Sequence, residues 1–479
     1  VASGVVDVLP PPVEPRLAAE YRRLVARELR CGKLGLARHV HGGGRVFAVG
    51  KSAGGDGLRK IWDGSLVSGA AARPPKPYKL ANPSSFLDIE IQKGEQVFLS
   101  KLDASTYFDQ LSASPSLHRW FAQPAVSVSD LCAHEGFTLR EVNRLLLQDE
   151  EALVEKGGWL YPCHRVWPMG FAWSSAVAQS TTVGIARRAG VPLQNIIGLD
   201  EALPRDQQEL FFIATDDVVA VHRSERAAWR RTARLKDSFQ DAGVKLKHSK
   251  EQIACSRLTA LGCDLQACAG RIGPDPGKLA KLTRGILAML GADAVAPAIL
   301  ASVLGFLQWF LQLQRACFAV LAEVYAFAAR EPQDEPRALP LTVREELEVV
   351  LCLLPLLPAD LTREWNTTVI ASDASTSFGF GVTACTCSGA EARDLGLLAD
   401  RRGDYVRLDD EEPPDARPRQ GRPFRWQLKR KRFSTVICKR AKWEAPAGLL
   451  ESHALVAGPA LVGTERQESS GSTGLPRGR

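Results

Sequence analysis

Residues 211–221 read FFIATDDVVAV, and this stretch decides the fold of the chain. Two apolar runs flank Asp216 and Asp217, a pattern that predicts two buried strands joined by a tight turn that carries both carboxylates. Because successive strand residues point to opposite faces of a sheet, only one of the two carboxylates is expected to face Asp103, the carboxylate at the end of another predicted strand. An Asp-Asp pair alone is a weak signal, since the same dipeptide recurs at residues 409–410.

A second apolar strand, residues 98–103 (FLSKLD), ends in another carboxylate, Asp103. Mg²⁺ is a hard cation that favours oxygen ligands and shares its coordination shell with phosphate oxygens. Two such ions about 3.5–4 Å apart can activate an attacking hydroxyl and stabilise a leaving oxygen in phosphoryl transfer. We therefore predict a site for two Mg²⁺ ions, which Mn²⁺ could replace. Asp103 and Asp216 would hold the ions, and Asp217 would support them.

The composition is that of a soluble globular protein with several domains, since the 479 residues are 45% hydrophobic and 24% charged. The net charge of +7 is compatible with a polyanionic partner without identifying one. Eleven cysteines lie in no regular frame and no secretory signal opens the chain. These features predict reduced thiols, no structural zinc and an intracellular location, in the cytoplasm or the nucleus.

Residues 295–313 are apolar over a length that suggests a transmembrane helix. Gln308 and Gln312 interrupt this run, so a buried helix of a soluble domain is the better interpretation, and no membrane partner is expected. The chain starts at Val1 and both of its methionines are internal, which predicts an excerpt or an incomplete gene model.

Hydrophobic periodicity and the positions of Gly and Pro predict a mixed α/β (α+β) chain. The predicted strands and hairpins lie at residues 45–49, 58–62, 97–103, 209–221, 258–265 and 367–384. The predicted helices lie at residues 16–30, 139–154, 172–189, 227–242, 278–290 and 297–330. The proline-rich residues 330–340 predict a linker, and residues 393–442 are charged and irregular.

Residues 45–330 resemble the reverse transcriptases of retrotransposons and retroviruses, whose motifs occur here in the family's order. The resemblance implies a right-hand polymerase with fingers, palm and helical thumb. Residues 47–51 (FAVGK) and 58–63 (LRKIWD) are similar to the fingers hairpin, in which Lys51 and Arg59 would hold the triphosphate of the incoming nucleotide. Arginine grips phosphate in bidentate fashion and lysine acts as a mobile point charge. The alternative is a solvated basic hairpin.

The first palm motif and the Pro-x-Gly element supply the other nucleotide contacts that the resemblance implies. In residues 102–109 (LDASTYFD), Phe108 would lie under the sugar, exclude a ribose 2′-hydroxyl and select deoxynucleotides, unless it is a core aromatic. Residues 167–174 (WPMGFAWS), followed by Gln179, are similar to the Pro-x-Gly element. Gly170 would let the backbone approach template and nucleotide, which a Cβ would obstruct, and Gln179 would belong to the same nucleotide site.

The remaining palm motifs follow in order. Residues 214–217 (ATDD) fit the palm hairpin, although their first residue is an alanine where the family usually has an aromatic. Residues 243–250 (GVKLKHSK) match the next motif, whose Lys250 is either a candidate for protonating the leaving pyrophosphate or a plain surface lysine. Leu261 and Gly262 match the primer grip, and the helices that follow would form the thumb.

Residues 370–382 (IASDASTSFGFGV) resemble the first strand pair of an RNase H-like domain, in which Asp373 would be a metal ligand. This arrangement is similar to DIRS-like and other long-terminal-repeat retroelements. The second carboxylate could be Glu451, with Glu444 as the alternative. The sequence beyond has no strand or helix pattern with further acids, so we expect an incomplete RNase H-like α/β domain. We expect no activity there, because two carboxylates would under-ligand two metal ions. The basic run 429–432 could contact nucleic acid or form a solvated loop.

The resemblance and the patterns together predict a division of the chain into domains. The predicted parts are an N-terminal segment with fingers (1–96), a palm (97–274) with a fingers insertion at about 110–160, a thumb (275–330), a linker or connection (331–366), a partial RNase H-like domain (367–462) and a disordered tail (463–479).

The predicted function is that of an RNA-directed DNA polymerase, which extends the 3′-hydroxyl of a DNA primer with dNTPs on an RNA or DNA template. The alternative is a catalytically inactive retroelement relic that at most binds nucleic acid, which Ala214 and the shortened RNase H-like part favour. An RNA-templated RNA polymerase is disfavoured by Phe108, where a small residue would be expected. The oligomeric state is not predicted by the sequence.

Overall fold

The computed structural model describes residues 9–50, 58–148, 154–198, 203–204, 206–397, 429–441, 446 and 448–458. The chain divides into two compact units. The first comprises Val1–Leu199 and Pro204–Thr362, and the second comprises Asp200–Leu203 and Arg363–Arg479.

The first unit contains helices and strands in mixed order. They are α1 Ala18–Arg30, β1 Leu34–Ala37, β2 Val46–Gly50, β3 Leu58–Trp62, α2 Ser65–Ala70, β4 Phe98–Asp103, β5 Val126–Ser127, α3 Val128–Glu135, α4 Leu139–Arg144, β6 Trp159–His164, α5 Ser174–Arg188, β7 Glu209–Ala214, β8 Asp217–His222, α6 Glu225–Asp241, β9 Gln252–Cys255, β10 Arg257–Ala260, β11 Cys263–Gln266, β12 Arg271–Pro274, α7 Pro276–Leu290, α8 Pro297–Leu311, α9 Ala322–Ala328, α10 Leu341–Leu353 and β13 Ala359–Asp360.

The central sheet, with strand order β7-β8-β4-β9, is antiparallel where β4 pairs with β8 and β9 and where β7 pairs with β8. Its alternate residues point to two different environments, as strand geometry requires. Leu102, Ile213 and Val218 lie in one buried core with Leu235 and Phe239 of α6 and with residues of α5. The residues between them along β4 and β8 therefore face away from α5 and α6.

The N-terminal part of the unit combines a hairpin with a second sheet. The predicted hairpin is confirmed, with β2 and β3 antiparallel and Val49 opposite Arg59. Strands β1, β6 and β5 form a three-stranded sheet packed against α1 and α3 through an apolar core. Trp62, at the end of β3, is buried and its indole N–H donates to the carbonyl of Ala122 at 2.8 Å. The hairpin is thus anchored at its base.

Four helices, α7 to α10, share one apolar core in which Leu282, Leu307, Phe327 and Leu347 are buried. The prediction of a continuous helix over 297–330 was wrong, because the chain leaves the helix after α8 and passes through a 3₁₀ turn before α9. Helix α10 was not predicted, since its neighbouring prolines indicated a linker. Pro340 lies at the N-cap of α10, where its missing N–H is tolerated.

Two other expectations were corrected. The predicted strand 258–265 is two strands, β10 and β11, because Leu261 and Gly262 have positive φ and turn the chain. The predicted helix 139–154 ends at Arg144. The next backbone groups bond to β1 instead, with Leu36 donating to the carbonyl of Leu145 and Leu147 donating to that of Leu36, both at 2.9 Å.

The second unit contains β14 Thr368–Ser375, β15 Gly379–Thr386, α11 Gly389–Leu397, β16 Ser434–Arg440 and a helix over 448–458, here α12. The predicted hairpin is confirmed as β14 and β15, and β16 pairs antiparallel with β15. Strand β16 lies within residues 393–442, which were predicted to be irregular. Nearly all of its residues are exposed, so its sequence shows no apolar alternation that would indicate a strand. The predicted tail from residue 463 lies outside the described residues.

No helix in the described part of the chain has the length and apolar character needed to span a membrane.

Candidate active site

The three aspartates of the predicted metal site lie together at one end of the central sheet. Asp103, the last residue of β4, is the register partner of Asp217, the first residue of β8. Asp216 stands in the turn between β7 and β8, and its carbonyl accepts from the N–H of Ala104 at 2.9 Å. Asp103 and Asp217 share the face of the sheet that is turned away from α5 and α6.

Burial and mutual repulsion raise the pKa of both carboxyls in the turn. Burial raises the pKa of Asp217 to about 6, where the charges of Asp216 and Asp103 add to it and the ammonium of Lys101 opposes it. Burial also raises the pKa of Asp216, and Asp103 adds to that shift. Three carboxyls in a partly desolvated space thus disfavour one another's charge, which is the condition that a bound cation relieves.

Two lysines approach these carboxylates. Lys250 Nζ lies 2.5 Å from Asp103 Oδ2, and this hydrogen bond raises the pKa of Lys250. Lys101 Nζ lies 3.4 Å from Asp217 Oδ1, a buried oxygen that accepts no hydrogen bond from the residues that the structure describes. Lys101 was not predicted, although its position two residues before Asp103 on the same strand places both on one face and was a usable signal.

The three carboxylates fit a divalent cation in their chemistry, and one of their oxygens, Asp217 Oδ1, is buried and accepts no hydrogen bond within the described part of the chain. Among the residues that the structure describes, no three or more His, Cys, Asp or Glu side chains already stand in a geometry that could hold a metal ion.

The turn that carries the aspartates has a strained backbone. Thr215 adopts φ of +59°, a left-handed conformation that is uncommon for a β-branched residue. Two buried side chains of α5 hold it. Gln179 Oε1 accepts from the N–H of Thr215 at 2.8 Å, and the hydroxyl of Thr182 lies 2.5 Å from the carbonyl of Thr215. Both peptide groups of Thr215 are therefore held from beneath.

Gln179 was predicted to contact the nucleotide, and the structure places it elsewhere. Its side chain is fully buried, and its amide N–H groups donate to the carbonyls of Lys79 at 2.9 Å and Ile213 at 3.2 Å. The three hydrogen bonds that its side chain makes with described residues all go to backbone groups around the turn. Gln179 is thus a support of the turn. Thr182, its neighbour one helical turn on, was missed because nothing in a lone helical threonine signals such a contact.

The segment after Asp103 joins the same network. The hydroxyl of Tyr107 lies 2.8 Å from Thr182 Oγ1 and 3.2 Å from the carbonyl of Ala178. The hydroxyl of Thr182 has one proton, and the carbonyl of Thr215 at 2.5 Å is its nearest acceptor. Phe108 is half-buried and packs against the edge of the same core. Tyr107 is the fully buried aromatic of the pair, which leaves part of the Phe108 ring accessible.

Of the two predicted triphosphate ligands, Arg59 is exposed on β3, on the face it shares with Phe47 and Val49. Lys51 lies outside the described residues. The next residue on β3, Lys60, points inward to the buried Glu28 of α1, and the same carboxylate accepts from Lys33 at 3.2 Å. This buried ion cluster fixes which face of the hairpin points outward.

Gly170 has φ of +117°, and a Cβ on it would stand 2.1 Å from the carbonyl oxygen of Trp62. The close approach that requires glycine here is to the backbone at the base of the hairpin. The contact with the backbone of Trp62 is therefore enough to explain why residue 170 is a glycine. The predicted approach of Gly170 to template and nucleotide stays a prediction.

The predicted primer-grip residues form the β10–β11 turn. The indole N–H of Trp309 donates to the carbonyl of Leu261 at 2.6 Å, and the carbonyl of Gly262 accepts from the N–H of Asp275 at 2.8 Å. Trp309, on α8, is 39% exposed beside this turn and was not predicted. The turn is therefore held by the helical cluster.

In the second unit, Asp373 lies exposed on β14 and its carboxylate accepts from the N–H of Ala374 at 2.9 Å. Glu451 is exposed on α12, which approaches the sheet where Gly458 meets Ile370 and Val382. Glu444 lies outside the described residues. The structure thus gives no measured contact between the two predicted carboxylates.

Part of the basic run 429–432 has a structural partner. Arg432 donates to both carboxylate oxygens of Glu391, at 2.8 and 3.3 Å, and to the carbonyl of Thr386 at 3.1 Å. Glu391 also caps the first turn of α11 through Ser388. Arg432 therefore joins β15, α11 and the segment before β16.

Comparison with known proteins gives the following. No protein-family model matches the chain, and no curated protein matches it. Three solved structures of foamy viral protease-reverse transcriptase are similar. The dRH form with double-stranded DNA is 12% identical, with a TM-score of 0.49, over 81% of this chain and 57% of that chain. The complex with an RNA/DNA hybrid is 13% identical, with a TM-score of 0.48, and the match covers 81% of this chain and 44% of that chain. The complex with double-stranded DNA is 14% identical, with a TM-score of 0.47, and the match covers 81% of this chain and 67% of that chain. The chain thus spans about half of the first two proteins, and a likeness at this identity and TM-score assigns it to no family.

Proposed function

We propose that this chain is an RNA-directed DNA polymerase of a retroelement, of DIRS-like or another long-terminal-repeat type. It would extend the 3′-hydroxyl of a DNA primer with dNTPs on an RNA or DNA template. The observation that carries the proposal is the pairing of Asp103 with Asp217 across two buried strands, with Asp216 in the strained turn beside them. In this proposal the central sheet is the palm, the hairpin is the fingers and the helical cluster is the thumb.

Asp103, Asp216 and Asp217 would hold two Mg²⁺ ions, which would lower the pKa of the attacking hydroxyl and stabilise the leaving oxygen. The raised pKa values of Asp216 and Asp217 support this assignment, because the site disfavours three uncompensated negative charges.

The other residues would position the nucleotide and handle its charge. Arg59 makes no hydrogen bond or ion pair with the described residues and stands on the outward face of the hairpin, free to grip a triphosphate. The accessible part of the Phe108 ring would exclude a ribose 2′-hydroxyl. Lys250 would hold a proton at Nζ for the pyrophosphate that leaves, and its hydrogen bond to Asp103 keeps that proton in place at rest.

A catalytically inactive relic is the second candidate, and one observation favours it. Lys250 Nζ lies 2.5 Å from Asp103 Oδ2, so a cation of the chain itself already neutralises this carboxylate. Asp373 and Glu451 would supply at most two ligands to an RNase H-like site, for which we propose no activity.

The test is Mg²⁺-dependent extension of a DNA primer on an RNA template by the purified full chain. Wild type should extend the primer, and Asp216→Asn should not, although it binds the duplex. Asp237→Asn, an exposed aspartate on α6, is the matched control and should extend like wild type. If folded wild type binds the primer–template but never extends it, with Mg²⁺ or with Mn²⁺, the relic is the correct reading.

A further inference from the structure

The outer face of α6 combines arginines with an exposed tryptophan. Arg226, Arg230 and Arg234 repeat every four residues, and all three are exposed. This spacing places them roughly 6 Å apart along one side of the helix. Trp229 lies beside them and is 53% exposed. A large aromatic left open to solvent among cations calls for a ligand that has both charge and a flat apolar surface.

The three arginines of this face make no ion pair with another residue of the described chain. Within its residues, none of the three guanidinium groups has a hydrogen-bond or ion-pair partner, whereas the adjacent Arg231 is paired with Glu209 at 2.7 Å. Glu225 precedes the patch, and Asp237 lies at its far end. The positive stretch therefore covers the first three turns of the helix.

This face cannot belong to the candidate active site. The opposite side of α6, through Leu235 and Phe239, covers the face of the central sheet that contains Leu102 and Val218. Asp103 and Asp217 alternate with those two residues and point away from α6. The thickness of the sheet and of the helix thus separates the arginines from the carboxylates.

We propose that Arg226, Trp229, Arg230 and Arg234 form a second nucleic-acid-binding surface, which holds a single-stranded stretch of RNA or DNA. Arginine binds the phosphates, and an unpaired base stacks on the indole, which every base can do whatever its sequence. A duplex presents phosphates but no free base face, so the exposed indole favours the single strand. The surface goes beyond the proposed polymerase and does not depend on it.

The test uses the full chain and a short fluorescein-labelled oligo(dT), with unlabelled blunt duplex in saturating amount to occupy any duplex-binding cleft. The double variant Arg226→Ala/Arg230→Ala should bind the oligonucleotide more weakly. Its plot of log affinity against log salt should be shallower than wild type by roughly 1.4, since each lost single-strand phosphate contact removes roughly 0.7. Trp229→Ala should lose roughly 5- to 150-fold in affinity, and Trp229→Phe should retain most of it.

The matched control is Arg23→Ala/Arg27→Ala. These residues form an exposed pair of the same spacing on α1, and they should bind like wild type. Equal losses in the two double variants, or unchanged binding in both, would overturn the proposal. If the α6 face binds polyglutamate as tightly as the oligonucleotide and Trp229→Ala has no effect, the partner is an acidic protein and the proposal is wrong. Primer extension on a template with a short overhang should be unchanged in the α6 variant, so that loss of the proposed polymerase and loss of this surface are separate results.

Discussion

Removing the hydroxyl of Thr182 should disable the aspartate turn without touching any group that meets a substrate. In Thr182→Val the shape of the side chain is kept, but the carbonyl of Thr215 loses the donor at 2.5 Å. A buried hydrogen bond lost in this way costs about 1–3 kcal/mol. The left-handed φ of Thr215 stores about 1–2 kcal/mol that favours release once the bond is gone.

The consequence can be measured in two ways. A loss of about 1 kcal/mol lowers the population of the intact turn by at most roughly 5-fold, and a loss of about 3 kcal/mol by at most roughly 150-fold. The extension rate should fall by no more than the same factor. The KM for dNTP should stay near that of the wild type. The Mg²⁺ concentration for half-maximal rate should rise. Hydrogen exchange of the peptide that covers residues 211–221 should become faster, and this readout does not need an active enzyme.

Thr181→Val is the control, because the hydroxyl of Thr181 donates within α5, to the carbonyl of Val177 at 2.8 Å, and to no other described residue. Thr182→Ser restores the donor and should recover rate and protection. The reasoning is refuted if Thr182→Val exchanges and extends like wild type. It is also refuted if the Thr181 and Thr182 variants lose stability and activity to the same extent.

Three other predictions concern stability, each measured by urea unfolding of the full chain. Gly170→Ala should destabilise the protein by more than about 1 kcal/mol, since its Cβ would meet the carbonyl oxygen of Trp62 and φ is +117°. Gly184→Ala, in the open interior of α5, is the control and should stabilise by up to about 1 kcal/mol. Equal effects of the two substitutions would contradict the close approach of Gly170 to Trp62. Glu28→Gln should cost about 3–5 kcal/mol, because the largely buried Lys60 loses its carboxylate partner, while Lys33 keeps its ion pair with Asp109. Glu14→Gln, in an exposed pair, should be neutral. A mild loss in Glu28→Gln would show that water reaches the cluster. Burial lowers the pKa of His222 from 6.5 to about 4, so the unfolded state binds its proton more readily and stability is lost as pH falls through that window. His222→Leu should reduce the loss between pH 7 and pH 5 by about 2 kcal/mol, and an unchanged pH dependence would contradict the shift.

The strands of the candidate site could be predicted because their signal is local. An apolar run that ends in a carboxylate, or that brackets two of them, defines β4, β7 and β8 without reference to the rest of the chain. The alternation of side chains then assigns Asp103 and Asp217 to one face. The same rule, applied two residues upstream, would also have identified Lys101.

What could not be predicted depends on contacts between distant residues. Gln179 was assigned to the nucleotide by its place in a motif, and only its burial beneath Thr215 shows its bonds to the turn. Helix α10 was hidden by its flanking prolines, since whether a proline breaks a helix or starts one depends on the position that it occupies. Strand β16 has no apolar alternation because it is exposed on both faces, so no periodic pattern marks it.

The two faces of the central sheet separate chemistry from support, and this separation makes the site testable. Asp103, Asp217 and Lys101 present charge on one face, while Gln179 and Thr182 reach the same turn from the other face and touch only its backbone. A change on the first face removes a charge and must alter metal or substrate binding even when the fold is intact. A change on the second face leaves every charge in place and acts through the position of the backbone that these side chains support. If both kinds of variant reduced extension but only the second accelerated hydrogen exchange at residues 211–221, the loss in the second would be one of geometry. If neither kind of variant accelerated exchange, the strained turn would be stable without the hydrogen bonds from Gln179 and Thr182. Those bonds would then stabilise the packing of α5 and not the turn.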